Sequence, residues 1–184
     1  MTKIVGIAGS LRKASINGYL LRAAASLVPQ GTELELASIA GIPLFNQDEL
    51  DRGMPAAVAE LKERVAQADG LLLATPEYNH SLPGVLKNAV DWLSRPASDI
   101  PRLFGDKPVA LMGAATGAGG TRLAQAAWLP VLRVLGTRPY FGKSMFVVNG
   151  GKVFDPDGNL TDESTRQHLS EFIAGFAHFI AKKA

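Results

Sequence analysis

A polar segment near the start of the chain carries the side chains best suited to hold a phosphate group. Residues 9–17 follow an apolar run and lead into a helical pattern. A helix N-terminus attracts anions through its unpaired N–H groups and its dipole, and hydroxyl, amide and guanidinium groups add further hydrogen bonds. The segment offers four such groups, on Ser10, Arg12, Ser15 and Asn17. The alternative interpretation is a plain turn in which Ser15 or Asn17 only caps the helix.

The glycine spacing of this segment excludes the two common nucleotide-binding loops. A P-loop needs the pattern G-x-x-x-x-G-K-[ST], and no glycine occupies the required position. The dinucleotide fingerprint needs G-x-G-x-x-G, whereas Gly6-Ile7-Ala8-Gly9 is G-x-x-G. Side chains would therefore hold the anion in place of glycine backbone, which predicts a terminal phosphate monoester as the ligand group.

Two further loops follow later apolar runs. Residues 75–84 contain Tyr78 between two prolines, and such a stiff loop can present backbone N–H groups to a flat heteroaromatic ring. Residues 114–120 are rich in glycine and alanine, which permits close approach of a ligand to the backbone. The alternatives are an ordinary strand-to-helix turn for the former loop and a mobile surface loop for the latter.

Apolar runs and helical patterns alternate along the chain and would position these loops. Residues 3–8, 70–75 and 107–114 indicate buried strands. The alternation predicts βαβ crossovers, and therefore an α/β fold with a parallel sheet between two layers of helices. Five such runs in one domain, residues 1–184, predict the doubly wound, flavodoxin-like strand order 2-1-3-4-5. Ligands of such sheets bind at the carboxyl ends of the strands, where all three loops lie.

Two residues in the C-terminal half should define where helices start or stop. Pro130 lies inside a helical pattern over residues 123–135 and should kink or interrupt it, because proline lacks the N–H that a helix interior needs. A last helix over residues 161–182 should begin with Thr161 as its cap, followed by acidic residues that favour a helix N-terminus.

Composition and charge narrow the class of protein. The chain has 184 residues, 47% hydrophobic and 20% charged, a balance typical of a globular domain with a sizeable core. Its net charge of +2 is too small for a dedicated nucleic-acid binder. Every apolar run is too short to span a bilayer, no signal peptide is recognisable, and cysteine is absent. We therefore expect a cytoplasmic protein without nucleic-acid or membrane partners and without a metal site.

The three loops together resemble the NADPH-dependent FMN reductase family, in its branch of chromate and quinone reductases. The resemblance spans nearly the whole chain, and its most specific segments are GSLRKxSxN from residue 9, TPEYN from residue 75 and SxPGxLKNAxDWLS from residue 81. It implies a flavodoxin-like fold with noncovalently bound FMN in a homodimer or homotetramer. The implied activity is two-electron transfer from NAD(P)H to quinones or to metal oxyanions such as chromate.

The resemblance also implies how each loop would bind FMN. The first loop would hold the phosphate, and the second would lie along the isoalloxazine, largely through backbone groups. The third loop departs from the family pattern, because relatives often carry hydroxyl residues where this chain has Ala114 and Ala115. The complete set of expected cofactor-binding residues is Ser10, Leu11, Arg12, Ser15, Ile16, Asn17, Pro76, Glu77, Tyr78, Asn79, Ala114, Ala115, Thr116 and Gly117.

The implied chemistry belongs to the cofactor. Hydride from NAD(P)H would reach the flavin N5, and the acceptor would then replace the oxidised nucleotide in a ping-pong cycle, so no catalytic residue is expected. Tyr78, His80 and Arg102 are candidates for guiding substrates, although loop histidines and surface arginines are commonly just solvated. Two competing functions are a flavodoxin-type one-electron carrier without NAD(P)H activity and a flavin-free nucleotide or phosphosugar binder. The slightly basic charge disfavours the carrier, since such carriers are usually strongly acidic.

Overall fold

The computed structural model describes residues 1–182, which form one sheet with helices on both faces. The strands are β1 (Thr2–Ala8), β2 (Thr32–Ala37), β3 (Gly70–Ala74), β4 (Pro108–Ala114), β5 (Arg138–Pro139) and β6 (Phe146–Val147). The helices are α1 (Ile16–Ser26), α2 (Gln47–Arg52), α3 (Ala56–Gln67), α4 (Gly84–Leu93), α5 (Ile100–Phe104), α6 (Arg122–Val134) and α7 (Glu163–Ala181). Two single-turn 3-10 helices cover Ala97–Asp99 and Gly150–Lys152.

The strand order is β2-β1-β3-β4-β5 and every pair is parallel, which confirms the predicted fold class. The edge position beside β4 is shared by two short strands, because β6 pairs with Gly113 and Ala114 farther along β4. The chain winds outward in both directions from β1 and β3. Their carboxyl ends therefore border the crevice in which sheets of this topology bind ligands.

Two apolar layers hold the helices against the sheet. Side chains of a strand alternate between the two faces, so Leu72 in β3 points into one layer and Leu71 into the other. The layer around Leu72 contains α1 and α7, and the opposite layer contains α3, α4 and α6. Every residue of β3 is buried. Burial on both faces explains why this strand reads as one continuous apolar run.

The structure contradicts an interruption of the helix at Pro130 and corrects the expected cap of the last helix. Helix α6 continues through Pro130 as a single element. Pro130 is exposed, whereas Trp128 and Leu132 are buried, so the apolar inner face holds the helix together and the missing N–H lies on the solvent side. The cap of α7 is Asp162, whose carboxylate accepts the Thr165 N–H at 2.7 Å. Thr161 instead donates its hydroxyl to the Val153 carbonyl, at 3.2 Å, and so joins the preceding loop.

The described residues lack both a membrane-spanning helix and a cluster of metal ligands. None of the helices within residues 1–182 combines the length and the apolar character required to cross a membrane. The same part of the chain holds no group of three or more histidine, aspartate or glutamate residues arranged to bind a metal ion.

Candidate cofactor site

A cavity of about 200 Å³ opens at the carboxyl ends of β1, β3 and β4. Its walls come from the loops after these three strands, with the first two residues of α1 and the last residue of β4. Leu11, Asn79 and Gly117, which the sequence also nominated, do not line it. Its lining residues are Ser10, Arg12, Ser15, Ile16, Asn17, Pro76, Glu77, Tyr78, Ala114, Ala115 and Thr116.

The first loop ends in a helix N-terminus with two unused N–H groups. Ser15 caps α1, and its hydroxyl oxygen accepts the Gly18 N–H at 3.3 Å. The first N–H groups of a helix have no partner inside it, and those of Ile16 and Asn17 find no acceptor within residues 1–182. Both residues line the cavity. The N-terminus of α1 therefore presents two free donors to whatever occupies the cavity.

Three side chains add polar groups around these donors. The Ser10 and Ser15 oxygens accept backbone N–H groups, of Arg12 and Gly18 respectively, so both hydroxyl hydrogens remain free to donate. Arg12 is exposed, and no carboxylate among the described residues lies within ion-pair distance of it. Hydroxyl donors, helix N–H groups and an uncompensated guanidinium form a site for a small, doubly charged anion.

The Asn17 side chain has a different task from the one expected of it. Its Nδ2 donates to the Ala114 carbonyl and its Oδ1 accepts the Ala114 N–H, both at 2.9 Å. Asn17 is only 2% exposed, so these two bonds satisfy buried polar groups. The pair fastens the start of α1 to the end of β4 and thereby fixes the distance between the first loop and the third.

The second loop contains a tight turn with a strained backbone. Tyr78 and Ser81 exchange two backbone hydrogen bonds, at 3.1 and 3.0 Å. The two residues between them, Asn79 and His80, have φ angles of 51° and 60°. Two consecutive positive φ values define a type I′ turn, a conformation that glycine adopts at less cost than other residues. The turn places Tyr78, which is 49% exposed, at the mouth of the cavity.

The Glu77 side chain contacts helix α6 through one carboxylate oxygen and the turn through the other. Its Oε2 accepts the N–H groups of Leu123 at 2.9 Å and Ala124 at 3.1 Å. Its Oε1 lies 3.5 Å from Nδ1 of His80, and the side chain is 14% exposed. Glu77 therefore lines the cavity while its carboxylate is engaged with α6.

The third loop borders the cavity with small residues. Ala114, Ala115 and Thr116 line it, and the Ala115 N–H donates to the Val147 carbonyl at 2.9 Å. A methyl group added at Gly117 would meet no atom within 4 Å. This part of the chain therefore offers only one side-chain hydroxyl, on Thr116, and otherwise presents backbone to a ligand.

The substrate-guiding candidates are separated by the structure. Tyr78 lines the cavity, whereas His80 projects from the turn with its side chain 83% exposed. Arg102 does not line the cavity, and its guanidinium pairs with Glu63 at 3.1 Å and with Asp99 at 4.0 Å. Arg102 is therefore paired with a carboxylate of α3 and with one of the turn before α5. A role of Arg102 in guiding substrate stays a prediction.

The residues present fit FMN. The phosphate would meet the α1 N–H groups, the two serine hydroxyls and Arg12, which together match a dianionic monoester. At the other end, Pro76 and Tyr78 provide apolar and aromatic surface, and the 114–116 backbone allows close contact. The cavity therefore combines a cation and free N–H donors with apolar and aromatic side chains, the two kinds of surface that a flavin mononucleotide needs.

Two structural contacts of the site were missed by sequence reasoning. Asn17 was assigned to the phosphate, and the loop that contains Glu77 was expected to contact the ring largely through backbone groups. Both side chains bind backbone groups that lie far away in sequence, 97 positions for Asn17 and 46 or 47 positions for Glu77. A single sequence carries no periodic signal for contacts of this kind.

Comparisons with known proteins identify the family of this chain. The family model described as NADPH-dependent FMN reductase matches residues 2–152. An NAD(P)H-dependent FMN reductase of Pseudomonas aeruginosa is 43% identical over 169 residues, covering 92% of this chain and 90% of the relative. A 2-hydroxy-1,4-benzoquinone reductase of a Burkholderia species is 39% identical, covering 97% and 96%.

A solved structure gives the same result in three dimensions. The flavoenzyme FerB of Paracoccus denitrificans, an NAD(P)H:(acceptor) oxidoreductase, has a TM-score of 0.88 and 34% identity, with 98% of each chain covered. The family match covers all three strands whose loops form the cavity, and the relatives match over nearly their full lengths. The chain therefore belongs to the NADPH-dependent FMN reductase family.

Proposed function

We propose that this protein is an FMN-containing oxidoreductase that transfers two electrons from NAD(P)H to quinones. The observation that carries the proposal is the anion site at the α1 N-terminus, joined in one cavity to a wall formed by the second and third loops. Family membership and the names of the relatives, among them a 2-hydroxy-1,4-benzoquinone reductase, support the same activity and acceptor class.

The first task of the chain is to hold the cofactor. Ser10, Arg12 and Ser15 would bind the FMN phosphate together with the N–H groups of Ile16 and Asn17. Charge-assisted hydrogen bonds of this kind are stronger than neutral ones, which explains how a noncovalent cofactor is retained. Bound FMN would supply the two-electron chemistry between NAD(P)H and the acceptor.

The second task is to place the ring while leaving it accessible. Pro76, Glu77 and Tyr78 would lie beside the isoalloxazine, and Asn79 completes the turn that supports them. Across the cavity, Ala115 and Thr116 would contact it mainly through backbone, with Leu11 and Gly117 at the rim. The exposed Tyr78 ring and the exposed 116–119 segment leave this end open to solvent. Substrates would therefore enter from this open side, where Tyr78 and His80 stand.

An open ring end supports a ping-pong order. NAD(P)H and the acceptor would use the same space beside Tyr78 in turn. We extend the proposal to metal oxyanions such as chromate as alternative acceptors, since a solvent-open site places few shape demands on the acceptor. Arg102 is retained as a guiding candidate only if its ion pairs with Glu63 and Asp99 exchange for an anionic substrate.

Assembly and location complete the proposal. A homodimer or homotetramer is supported by the family resemblance and by apolar side chains that remain exposed on the monomer, among them Phe141 at 74% and Val134 at 79%. A cytoplasmic location is supported by the dependence on NAD(P)H, the reductant of that compartment. Analytical ultracentrifugation tests the assembly, and a sedimentation coefficient of a monomer at micromolar concentration contradicts it.

The decisive experiment combines a spectrum with steady-state kinetics. The purified protein, reconstituted with FMN if necessary, should show flavin absorption at about 450 nm that NAD(P)H bleaches without oxygen. Benzoquinone should then restore the absorption, and initial-rate plots at several quinone concentrations should give parallel lines. Flavin that NAD(P)H cannot bleach would instead identify a one-electron carrier. Failure to bind FMN would leave only a flavin-free phosphate binder, and intersecting lines would disprove the ping-pong order.

Chromate needs a separate assay. Replacing the quinone by chromate should give NAD(P)H oxidation that depends on bound FMN, with the apoprotein as the control. If chromate reduction is equally fast with free FMN at the same concentration, the protein has no chromate site of its own.

A further inference from the structure

Helix α6 begins without a side-chain cap of its own. Its cap position is Thr121, whose hydroxyl makes no hydrogen bond to the first-turn N–H groups. The Thr121 Oγ1 instead accepts from Gln125 Nε2 at 3.1 Å, inside the protein where Thr121 is fully buried. Since the first N–H groups of a helix have no partner within it, α6 needs acceptors from elsewhere in the chain.

Close packing explains why Thr121 does not cap α6. A methyl group added at Gly113 would lie 2.1 Å from the Thr121 Oγ1 and 2.3 Å from the Thr75 carbonyl oxygen. The hydroxyl is therefore held against the β4 backbone, in a space that only glycine leaves free. Thr121 serves the packing of the helix against the sheet, and the helix terminus is left for another residue to satisfy.

Glu77 supplies the missing acceptors from the neighbouring loop. One carboxylate oxygen accepts both the Leu123 and the Ala124 N–H, at 2.9 and 3.1 Å. A negative charge at this position also opposes the positive end of the helix dipole. The carboxylate thus caps α6 from a residue that precedes the helix by about 45 positions.

A second contact fixes the same loop one turn farther along α6. The Trp128 Nε1 donates to the Thr75 Oγ1 at 3.1 Å, and both residues are fully buried. Residues 75 and 77 are therefore held to α6 at two points. Between them lies Pro76, which lines the cavity. The loop after β3 is consequently docked on the helix that follows the loop after β4.

We propose that Glu77 is a positioning residue, whose carboxylate locks the second and third loops together and so sets the shape of the ring end of the cavity. Its side chain acts through the α6 backbone and not through the ligand. The effect of Glu77 on FMN binding rests on the function proposed above. The cap on α6 and the docking of the loop are properties of the protein without ligand. The two can therefore fail separately.

The test uses Glu77→Ala and Glu77→Gln in the full chain. Alanine removes the oxygen that accepts both N–H groups, whereas glutamine keeps one side-chain oxygen but loses the charge. Glu60→Gln is the matched control, because Glu60 is an exposed α3 carboxylate that pairs with Arg64 and does not line the cavity. Amide hydrogen exchange is measured on the FMN-free proteins, and FMN affinity by fluorescence titration on all of them.

We expect Glu77→Ala to accelerate exchange at Leu123, Ala124 and the 76–81 loop by about tenfold, with protection of the central strand β3 unchanged. FMN affinity should fall by about tenfold, because binding must then order a loop that the cap no longer holds in place. Glu77→Gln should show smaller changes of the same kind, and Glu60→Gln should match the wild type. Faster exchange confined to these residues indicates a positioning role, whereas a general loss of stability would also accelerate exchange in β3.

Two results would overturn the proposal. Unchanged exchange at residues 123–124 in both Glu77 variants would show that the carboxylate is not the cap. Accelerated exchange at these residues with loop exchange and FMN affinity within twofold of the wild type would show a cap without a positioning role. If Glu77→Ala does not fold, Glu77→Gln decides both points. A wild-type protein that binds no FMN would overturn the proposed function, and exchange of the 76–81 loop would still decide the docking.

Discussion

Helices α1 and α6 start at the same edge of the sheet, yet their N-termini are treated in opposite ways. Helix α1 caps itself through Ser15 and leaves the Ile16 and Asn17 N–H groups free toward the cavity. Helix α6 receives the Glu77 carboxylate, which occupies the Leu123 and Ala124 N–H groups. One terminus is open to an external anion, and the other already holds an internal one.

The difference gives a physical reason why the α1 terminus, and not the α6 terminus, would bind a phosphate. Both helix starts carry the same partial positive charge, because that charge comes from the backbone and not from the sequence. Glu77 removes α6 from competition by filling it with a carboxylate. The α1 terminus adds Arg12, a cation with no carboxylate within ion-pair distance among residues 1–182. The lesson is that a side chain placed at or kept away from a helix start selects the anion site.

The largest effect is expected on stability, from a substitution of Asn17, which joins the α1 terminus to β4. Asn17→Ala leaves the buried Ala114 N–H and carbonyl without partners, at a cost of roughly 1–3 kcal/mol each in the free energy of unfolding. Urea denaturation of the FMN-free protein measures it, with the exposed Gln167→Ala as the control. A loss below about 0.5 kcal/mol, the range of ordinary surface substitutions, would mean that water replaces the amide.

The next effect concerns the open terminus itself. The double variant Arg12→Ala with Ser15→Ala removes a charge-assisted and a hydroxyl donor from the anion site, each worth roughly 1.5–3 kcal/mol when the acceptor is charged. FMN affinity should therefore fall by at least about a hundredfold. Fluorescence titration measures the dissociation constant, and Lys13→Ala, a neighbouring cation that does not line the cavity, is the control. Equal affinities for double variant and wild type would place the phosphate elsewhere.

A smaller effect is expected at the ring end, where backbone and partly exposed side chains meet the ligand. Tyr78→Ala removes one half-exposed aromatic ring, whose packing on a second ring is worth about 1 kcal/mol. FMN affinity should fall by about fivefold, far less than in the Arg12 and Ser15 double variant. If Tyr78→Ala lowers FMN affinity as much as that double variant, side chains would matter equally at both ends of the cavity. The contrast between a phosphate end held by side chains and a ring end held mainly by backbone would then be wrong.

The smallest effect is expected on the pH dependence of stability. It tests a third way to cap a helix, by the carboxylate of the residue directly before it. Hydrogen bonds from the Thr165 hydroxyl and N–H lower the pKa of Asp162, the cap of α7, below its usual range. A lowered folded-state pKa stabilises the protein above the unfolded-state pKa, and this contribution is lost as pH falls through the folded value. Melting temperatures of the wild type and Asp162→Asn should therefore converge between about pH 5 and pH 2.5. A constant difference across this range would contradict the assignment.

The sequence was a good guide wherever a repeating pattern carried the information. Continuous apolar runs such as residues 70–75 predicted buried parallel strands, and the alternation with helices predicted their order. That order brings the loops after β1, β3 and β4 to one edge, so residues far apart in sequence could be assigned to one cavity. Most of the nominated residues do line a common cavity, and whether they hold FMN stays a prediction.

Choices among chemically similar neighbours could not be predicted. Thr161 and Asp162 are both good caps, and only the Val153 carbonyl, which engages Thr161, decides between them. Pro130 is tolerated because it faces solvent while Trp128 and Leu132 are buried, a matter of rotation about the helix axis. The tasks of Asn17 and Glu77 depend on distant backbone groups, so they follow from the finished fold and not from any local preference.

The Asn17–Ala114 pair also has a consequence for the order of events during folding. The two residues are 97 positions apart, so the start of α1 is fixed only after β4 has joined the sheet. Closing so long a loop is slow compared with forming a helix, and a chain emerging from the ribosome contains α1 well before β4. We therefore expect cofactor loading to occur late, on chains that have completed most of the sheet, so that possession of the cofactor marks a molecule whose folding is finished.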